Sequence, residues 1–180
     1  MTETSFGTDL KNKLLEGVQK LNNSVASTLG PAGRTVLIKD DTGEIKITKD
    51  GVTVARAFKE LEDQTESIGA ELAKKVSTKC ANEVGDGTTT STVLATAILE
   101  EGIRQINEGS NPVNIKKGID EAVSTVVNRL KEMSTEITDD SQIKEVATIS
   151  GNNDPEIGNL ISTALDKVGR DGIVTIEESK

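Results

Sequence analysis

The sequence predicts a mainly α-helical fold with a small β-hairpin. Apolar residues recur at spacings of three and four along several long segments, which is the period of an amphipathic helix. Two short runs rich in Val and Ile flank a turn-forming sequence and predict the hairpin. The 180 residues include two Phe and no Tyr or Trp. A core must therefore be built from Leu, Ile, Val and Ala, which suits helix packing.

The first predicted helix spans residues 9–29, where Leu and Val form one continuous stripe. Thr8 or Asp9 would cap its N-terminus. Gly30-Pro31 would end it, because glycine suits a C-terminal cap and proline cannot continue a helix.

The predicted hairpin pairs Thr35–Ile38 with Ile45–Thr48 around a glycine-containing loop at residues 40–43. A turn at Lys49-Asp50-Gly51 follows the second strand. It leads into a short predicted helix over Val52–Leu61.

Three longer helices are predicted in the middle of the chain, each with one buried stripe. The first of these covers residues 66–84, and its expected stripe is Ile68, Leu72, Val76, Cys80 and Val84. The next opens at Thr88 after a break at Gly85-Asp86-Gly87, and its expected buried side is Val93, Leu94, Ala97 and Ile98. The last starts at Asn111-Pro112, and its stripe is Ile115, Ile119, Val123, Val126, Leu130 and Met133.

A polar stretch at residues 134–140 marks a predicted domain boundary. Beyond it we predict a short helix over Ile143–Ile149, a helix from Asp154-Pro155 to Val168-Gly169, and a strand over Ile173–Ile176. A terminal strand without a partner would leave backbone groups unpaired. We therefore expect the 180 residues to be an excerpt from a longer chain.

Charge and composition exclude several classes of function. The net charge of -9, with no Lys/Arg cluster, disfavours nucleic acid and anionic membranes as partners. The absence of His excludes Cys–His and Ser–His catalysis and His-ligated metal sites. Cys80 is the only cysteine, and we expect a small buried thiol there rather than a reactive one. The N-terminal sequence has no secretory or organellar leader pattern, so we expect a cytoplasmic protein.

The strongest chemical feature is Gly85-Asp86-Gly87 followed by Thr88, Thr89 and Thr90, between two predicted helices. The glycines allow a tight turn close to a ligand, and the next helix N-terminus offers free N–H donors to a phosphate. A carboxylate there suits Mg²⁺ carried by the phosphates. The sequence has neither a Walker A motif nor the third glycine of a dinucleotide loop. The local pattern alone favours a simple helix break with threonine caps over a phosphate site.

Two further turns have a suitable character to contribute to the same site. Thr28-Leu29-Gly30-Pro31 ends a helix with a glycine that would let the backbone approach a nucleotide. Lys49 and Asp50 supply a cation and a carboxylate at a junction between strand and helix. Such an Asp could position water or hold a metal, as phosphoryl transfer requires. Taken alone, each of these turns favours an ordinary turn over a ligand site, so convergence would have to come from the fold.

Taken in order, three segments resemble the nucleotide site of group I chaperonins, the bacterial GroEL family: TLGPAGRTVLI, ITKDGVTVAR and NEVGDGTTTSTVLATAI. EGSNPVNIKKGIDEAV and DKVGRDGIVTIEE are also similar to that family. The resemblance extends from about residue 6 to residue 178. Group II chaperonins share GDGTTT, whereas TKDGVTVAR and DKVGRDGIVTIEE are more similar to group I.

The resemblance implies specific roles for the residues of the three turns. It places Thr28, Leu29, Gly30 and Pro31 along the nucleotide and Lys49 beside the phosphates. Gly87, Thr88, Thr89 and Thr90 would hold the phosphates, and Asp86 would coordinate Mg²⁺. Asp50 resembles a carboxylate implicated in hydrolysis. ATP and Mg²⁺ are the implied cofactors, with K⁺ as an additional option.

The same resemblance implies a domain organisation and a function. Residues 1–134 would form the first half of a helical equatorial domain, and residues 135–180 the ascending half of an intermediate domain. The apical domain, the descending intermediate segment and the returning equatorial half would lie outside these residues, and the descending segment would carry the other Asp implicated in hydrolysis. The parent protein would be an ATPase that encapsulates and folds non-native proteins in a homo-oligomeric, stacked ring, with or without a co-chaperonin. The isolated 180 residues would hydrolyse ATP weakly or not at all.

Two alternatives have a different functional character. A short natural product without an apical domain would act as a non-cycling assembly or interaction module on full-length chaperonin rings. An unrelated Mg²⁺-dependent NTPase or kinase could also use GDGTTT. Incorporation into rings would indicate the module, and turnover by the isolated chain would indicate the enzyme.

Overall fold

The computed structural model of the chain describes residues 7–39, 42–151, 153–169 and 172–175. Over these residues it is mainly α-helical with a two-stranded antiparallel sheet, which confirms the predicted fold class. In chain order the elements are α1 (Gly7–Ala26), β1 (Val36–Lys39), β2 (Ile45–Thr48), α2 (Gly51–Ala57), α3 (Gln64–Glu83), α4 (Thr88–Asn107), α5 (Pro112–Met133), α6 (Asp140–Ser150) and α7 (Pro155–Val168). No helix in the described ranges is long and apolar enough to span a membrane.

The chain divides into two compact units, Met1–Glu121 and Ala122–Lys180, and the division falls within α5. In the first unit α1 packs against α3 and α4, and α2 packs against α1 and α3. The buried apolar core of this unit consists of Val18, Leu21, Val25, Val54, Ala55, Ala70 and Ala73. Its members come from α1, α2 and α3, so the core fixes these three helices together.

The backbones of α1 and α3 are in direct contact through two glycines. A Cβ atom built on Gly17 would lie 1.9 Å from the carbonyl oxygen of Glu66. One built on Gly69 would lie 2.0 Å from the carbonyl oxygen of Leu14. Backbone atoms cannot rotate out of the way as a side chain can. Any residue larger than glycine at either position would therefore force the two helices apart.

The buried stripe predicted for α3 is wrong. Ile68 and Leu72 are exposed, and Val84 lies beyond the helix end and is also exposed. The buried residues of α3 are instead Gly69, Ala70, Ala73 and Ser77. The physical reason is the close approach of α1, which leaves space for small side chains only.

The predicted buried side of α4 is also wrong. Leu94, Ala97 and Ile98 are exposed, and Val93 is half-buried. The residues that α4 buries are Thr88, Thr92, Thr96 and Ile103. The Thr92 hydroxyl donates to the carbonyl oxygen of Thr88 at 2.8 Å, and the Thr96 hydroxyl donates to that of Thr92 at 2.9 Å. These bonds satisfy the buried hydroxyls within the helix, so a polar stripe is tolerated in the interior.

The hairpin is confirmed, whereas several helix boundaries differ from the prediction. The strands pair antiparallel, with Val36 opposite Thr48 and Lys39 opposite Ile45. Residues 40 and 41 of the predicted loop lie outside the described residues. Helix α1 ends at Ala26 rather than at residue 29, and Thr8 and Asp9 lie inside its first turn instead of capping it. Helix α2 ends at Ala57, before the predicted end at residue 61.

Helix α5 buries none of its residues. Of its predicted stripe, Ile115 and Ile119 are half-buried and the other members are exposed. The first part of α5 and the exposed apolar side of α4 enclose an apolar groove of about 360 Å³. Its apolar lining is formed by Leu94, Ala97, Ile98, Ile115 and Ile119.

The second unit is centred on the hairpin of α6 and α7, which pack closely on each other. A Cβ on Gly158 would lie 2.0 Å from the Thr148 hydroxyl oxygen and 3.1 Å from the Lys144 carbonyl oxygen, so the two helices approach closely at this glycine. Asp139 begins α6 with a capping box, and Asp154 caps α7 with Pro155 in its first turn. The predicted start and end of α7 are confirmed.

The strand predicted over Ile173–Ile176 is not formed at the described residues 173–175, and Ile176 lies outside the described residues. The Ile173 side chain is 92% exposed. The unpaired strand that led us to expect an excerpt is therefore not observed in the part of the chain that the structure describes.

Replacing Gly17 or Gly69 by Ala should lower the free energy of unfolding by about 1–3 kcal/mol, because each added Cβ meets backbone. Gly118→Ala in α5 is the matched control, since its Cβ meets nothing within 4 Å. That change should be neutral or stabilising by up to about 1 kcal/mol through helix propensity. Urea unfolding followed by far-UV circular dichroism measures all three. Equal unfolding free energies for G17A, G69A and G118A would contradict the close contact.

Candidate functional site

The GDGTTT segment connects α3 to the start of α4, as predicted. Gly85 and Gly87 have φ angles of 81° and 75°, in the left-handed region that favours glycine. Gly87 occupies the N-cap position of α4 and, having no side chain, makes no side-chain cap hydrogen bond. The first N–H groups of α4 therefore have no side-chain cap and remain available to an anionic ligand.

The Asp86 side chain is exposed in this loop and is held by it. One carboxylate oxygen, Oδ1, accepts a hydrogen bond from the Gly87 N–H at 2.6 Å. The Asp86 main-chain oxygen accepts a hydrogen bond from the Cys80 Sγ at 3.1 Å. Cys80 is half-buried, so the expectation of a buried core thiol is wrong, because its helix turns a different face to the core.

The turn after α1 folds back tightly on itself. Thr28 is buried, and its hydroxyl donates to the Val25 carbonyl oxygen at 2.8 Å. The Arg34 N–H donates to the Ser27 carbonyl oxygen at 2.7 Å, which closes the turn. Gly30 has a φ of 69°, and its neighbours in the turn, Leu29 and Pro31, are exposed. The turn therefore presents exposed backbone next to a buried hydroxyl.

Asp50 is the N-cap of α2. Its carboxylate accepts hydrogen bonds from the N–H groups of Val52 at 3.2 Å and Thr53 at 3.0 Å. Its own N–H donates to the Thr48 hydroxyl at 3.0 Å. Both Lys49 and Asp50 are exposed. The candidate hydrolytic carboxylate is therefore fixed in place by the start of a helix.

The three turns meet at one point. The hydroxyl oxygens of Thr28 and Thr89 lie 3.1 Å apart and share a hydrogen bond across 61 residues of sequence. A Cβ on Gly51 would lie 2.0 Å from the Thr89 hydroxyl oxygen, so the first residue of α2 touches the same side chain. The structure thus brings Thr28, Thr89 and the residue that follows Asp50 into one contact.

The other predicted site residues are close in sequence to the residues of this contact, and all but Thr88 are open to solvent. Lys49, Asp86, Gly87 and Thr90 are exposed, whereas Thr88 is buried at the start of α4. A Cβ built on Gly30, Gly85 or Gly87 would meet nothing within 4 Å, so the space beside each backbone is open. A ligand could therefore approach all three glycines directly.

Gly51 was not among the predicted site residues. Its signal in the sequence is weak, because glycine directly after Lys49-Asp50 fits an ordinary turn equally well. The structure places it in the first turn of a helix instead. Gly51 stands at the start of a helix, where the backbone conformation does not require glycine. This is the feature that could have identified Gly51.

Within the described ranges, no group of three or more Asp, Glu, Cys or His residues could hold a metal ion by itself. A divalent cation at Asp86 would need further ligands from phosphate oxygens and water. Mg²⁺ is bound in this way in many nucleotide sites, because it keeps several waters and prefers phosphate and carboxylate oxygens. The residues present fit a metal carried in by a phosphorylated ligand.

Comparison with known proteins identifies the family of this chain. The model of the TCP-1/cpn60 chaperonin family matches residues 21–180. The structure is similar to the chaperonin gp146 from the bacteriophage EL of Pseudomonas aeruginosa, solved in the presence of ATP-BeFx, with 28% identity and a TM-score of 0.77. It is also similar to a group III chaperonin in the open state, with 27% identity and a TM-score of 0.73. The similar regions cover 92% of this chain in both cases, but only 29% and 34% of those chains.

Asp50→Ala should lower the free energy of unfolding by about 1 kcal/mol, because two N–H groups of α2 lose their acceptor. Asp50→Asn should lower it by less, because its single amide oxygen can still accept from one of the two N–H groups, which now bind separate carboxylate oxygens. Urea unfolding of both variants measures the difference. Equal destabilisation by Ala and Asn would contradict a cap made by one side-chain oxygen.

Proposed function

The chain belongs to the TCP-1/cpn60 chaperonin family, and we propose that it forms the part of a chaperonin subunit that binds Mg²⁺-ATP. The observation that carries this proposal is the meeting of the three turns at Thr28, Gly51 and Thr89, next to the start of α4. Turns so far apart in sequence would not need to converge if each only ended a helix or strand.

The proposed roles follow the local geometry. The phosphates would bind at the start of α4, where Gly87 has no side chain and Thr88, Thr89 and Thr90 supply N–H groups. Lys49 would add a positive charge beside them. Thr28, Leu29, Gly30 and Pro31 would line the nucleotide. Asp86 would hold Mg²⁺, which neutralises phosphate charge when bound, and K⁺ is an additional cofactor in this proposal.

Asp50 would orient the water that attacks the terminal phosphate. Its carboxylate is exposed yet fixed by the N–H groups of Val52 and Thr53, so it could hold a water in a defined position. One carboxylate of this kind leaves the hydrolytic site incomplete, since the resemblance assigns a second Asp to a segment outside these residues. We therefore propose weak or no ATP hydrolysis by the 180 residues alone.

In the whole protein, ATP binding and hydrolysis would drive the encapsulation and folding of non-native proteins. This proposal includes a homo-oligomeric, stacked ring in the cytoplasm, client proteins, and a co-chaperonin as an optional partner. The chain spans about a third of the length of the two chaperonins described above. The division into equatorial residues 1–134 and intermediate residues 135–180, and the assignment to group I, stay predictions.

An assembly or interaction module on full-length chaperonin rings is the second candidate function. The exposed apolar sides of α4 and α5, with the groove between them, favour this candidate. Contiguous apolar surface of this kind often marks a site of contact with other protein. The same surface is compatible with the first proposal, in which it would pack against other parts of a chaperonin.

Asp86→Asn tests the proposed Mg²⁺-ATP site. The amide oxygen can still accept from the Gly87 N–H, so the loop should keep its shape while the metal ligand loses its charge. We expect the affinity for ATP with Mg²⁺ to fall by about tenfold or more. The affinity for ATP in EDTA should stay the same or rise, because a negative charge near the phosphates is removed. Calorimetric titration of the protein as its gene encodes it measures both.

The control is Asp166→Asn, which makes the same charge change on an exposed residue of α7 in the second unit. It should leave both affinities unchanged. An equal loss for D86N with and without Mg²⁺ would remove the metal role of Asp86. No ATP binding by the wild-type protein would overturn the proposed function.

Native mass spectrometry of the protein from its source distinguishes the two candidate functions. A large symmetric assembly of subunits much heavier than 19.1 kDa is the result expected for the folding machine. A 19.1 kDa species that joins separate chaperonin rings would instead support the assembly module.

A further inference from the structure

Gly51 is buried at the first position of α2. Its φ angle is outside the left-handed region, so the backbone there does not require glycine. A Cβ at this position would lie 2.0 Å from the Thr89 hydroxyl oxygen and 3.2 Å from the Thr89 Cβ. It would also lie 3.4 Å from the Thr28 hydroxyl oxygen. The missing side chain therefore makes room for the hydroxyl that connects the other two turns.

We propose that Gly51 is a positioning residue of the nucleotide site, because it admits the Thr89 hydroxyl to its hydrogen bond with Thr28. This inference rests on the proposed function, in which Thr28 and Thr89 both contact the nucleotide. Gly51 itself touches no ligand in this proposal. It acts by fixing the side chain of Thr89 and thereby the distance between two of the turns.

Neither helix can move easily to relieve a side chain at position 51. Helix α2 is held by Val54 and Ala55, which are buried in the core. Helix α4 is held by Thr88 and Thr92, which are buried at its start. Since both backbones are fixed by packing, an added methyl group must be accommodated by the side chain of Thr89.

Rotation of Thr89 about χ1 is the available response, and it has a defined consequence. Threonine has two favoured χ1 states in a helix, and the clash is relieved only when rotation places the Thr89 Hβ, and not its methyl group, beside residue 51. The rotation moves the Thr89 hydroxyl away from that of Thr28, and their 3.1 Å hydrogen bond is lost. It does not move the Thr89 Cβ, so the 3.2 Å approach remains as a smaller strain.

A double-mutant cycle of Gly51→Ala and Thr89→Ala tests this mechanism in the protein as its gene encodes it. Each single variant should weaken Mg²⁺-ATP binding by roughly three- to tenfold, the effect of one lost hydrogen bond. The double variant should bind like T89A, with less than about a twofold further change, because G51A acts through the Thr89 hydroxyl. Calorimetric titration measures the affinities at a temperature where circular dichroism shows every variant folded.

The matched control is Gly102→Ala, which adds the same methyl group to a half-buried helix position. Its Cβ would lie 3.9 Å from the Ile115 Cγ2, an ordinary contact. This variant should bind Mg²⁺-ATP like the wild type. Losses for G51A and T89A that multiply in the double variant would overturn the proposal, because Gly51 would then act independently of Thr89.

The Thr28 methyl resonance in the nucleotide-free protein gives a second measurement that needs no ligand. G51A and T89A should each shift it, since both remove the Thr89 hydroxyl from its hydrogen bond with Thr28, whereas G102A should leave it in place. Because a Cβ at residue 51 also lies near the Thr28 hydroxyl, the deciding comparison is the double variant, whose resonance should match that of T89A. An unchanged resonance in G51A would overturn the positioning role. If the wild-type protein binds no nucleotide, the proposed function fails, and the methyl shifts alone decide whether Gly51 positions Thr89.

Discussion

The direct contact between the backbones of α1 and α3 constrains the rest of the first unit. Gly17 and Gly69 bring each helix against a carbonyl oxygen of the other, so the space between them admits small side chains only. The interior that results is built from alanines and threonines together with Val18, Leu21 and Val25 of α1, Val54 of α2 and Ile103 of α4. Apart from Ile103, large apolar residues of α3 and α4 such as Ile68, Leu72, Leu94 and Ile98 face outward. Because the helices cannot separate, the turns at their ends are held at fixed distances.

Those turns form the candidate site, and they differ from the interior in their packing. Leu29, Lys49, Asp50 and Asp86 are exposed, and the hydroxyls of Thr28 and Thr89 form a hydrogen bond between two of the turns. A ligand that bridged the turns would add contacts that the protein alone does not have. A rigid helical interior with open turns at one place suits a site that must bind and release a nucleotide.

The sequence predicted local features well, because short-range chemistry determines them. Asp154-Pro155 starts a helix, and the GDG loop breaks one, for reasons contained in a few adjacent residues. The buried faces of α3 and α4 could not be predicted in this way. The expectation that the largest apolar residues are buried fails when two backbones touch, and neighbouring residues do not reveal that contact. Gly17 and Gly69, each standing within a helical pattern, were the local signs of it.

Glycines have two separate roles among the described residues, one in packing and one in the candidate site. Gly51 is packed like the first group but lies at the candidate site like the second. Gly17 and Gly69 are required by packing, since a Cβ on either would meet backbone. In the candidate site loops, Gly30, Gly85 and Gly87 have open space beside them, so packing does not explain why these three positions are glycine. Gly51 is packed as tightly as the first set, yet the atom against it is the hydroxyl of a residue in the candidate site. The packing constraint that shapes the core therefore extends to the place where Thr28 and Thr89 meet, and this links the stability of the fold to the geometry of the site.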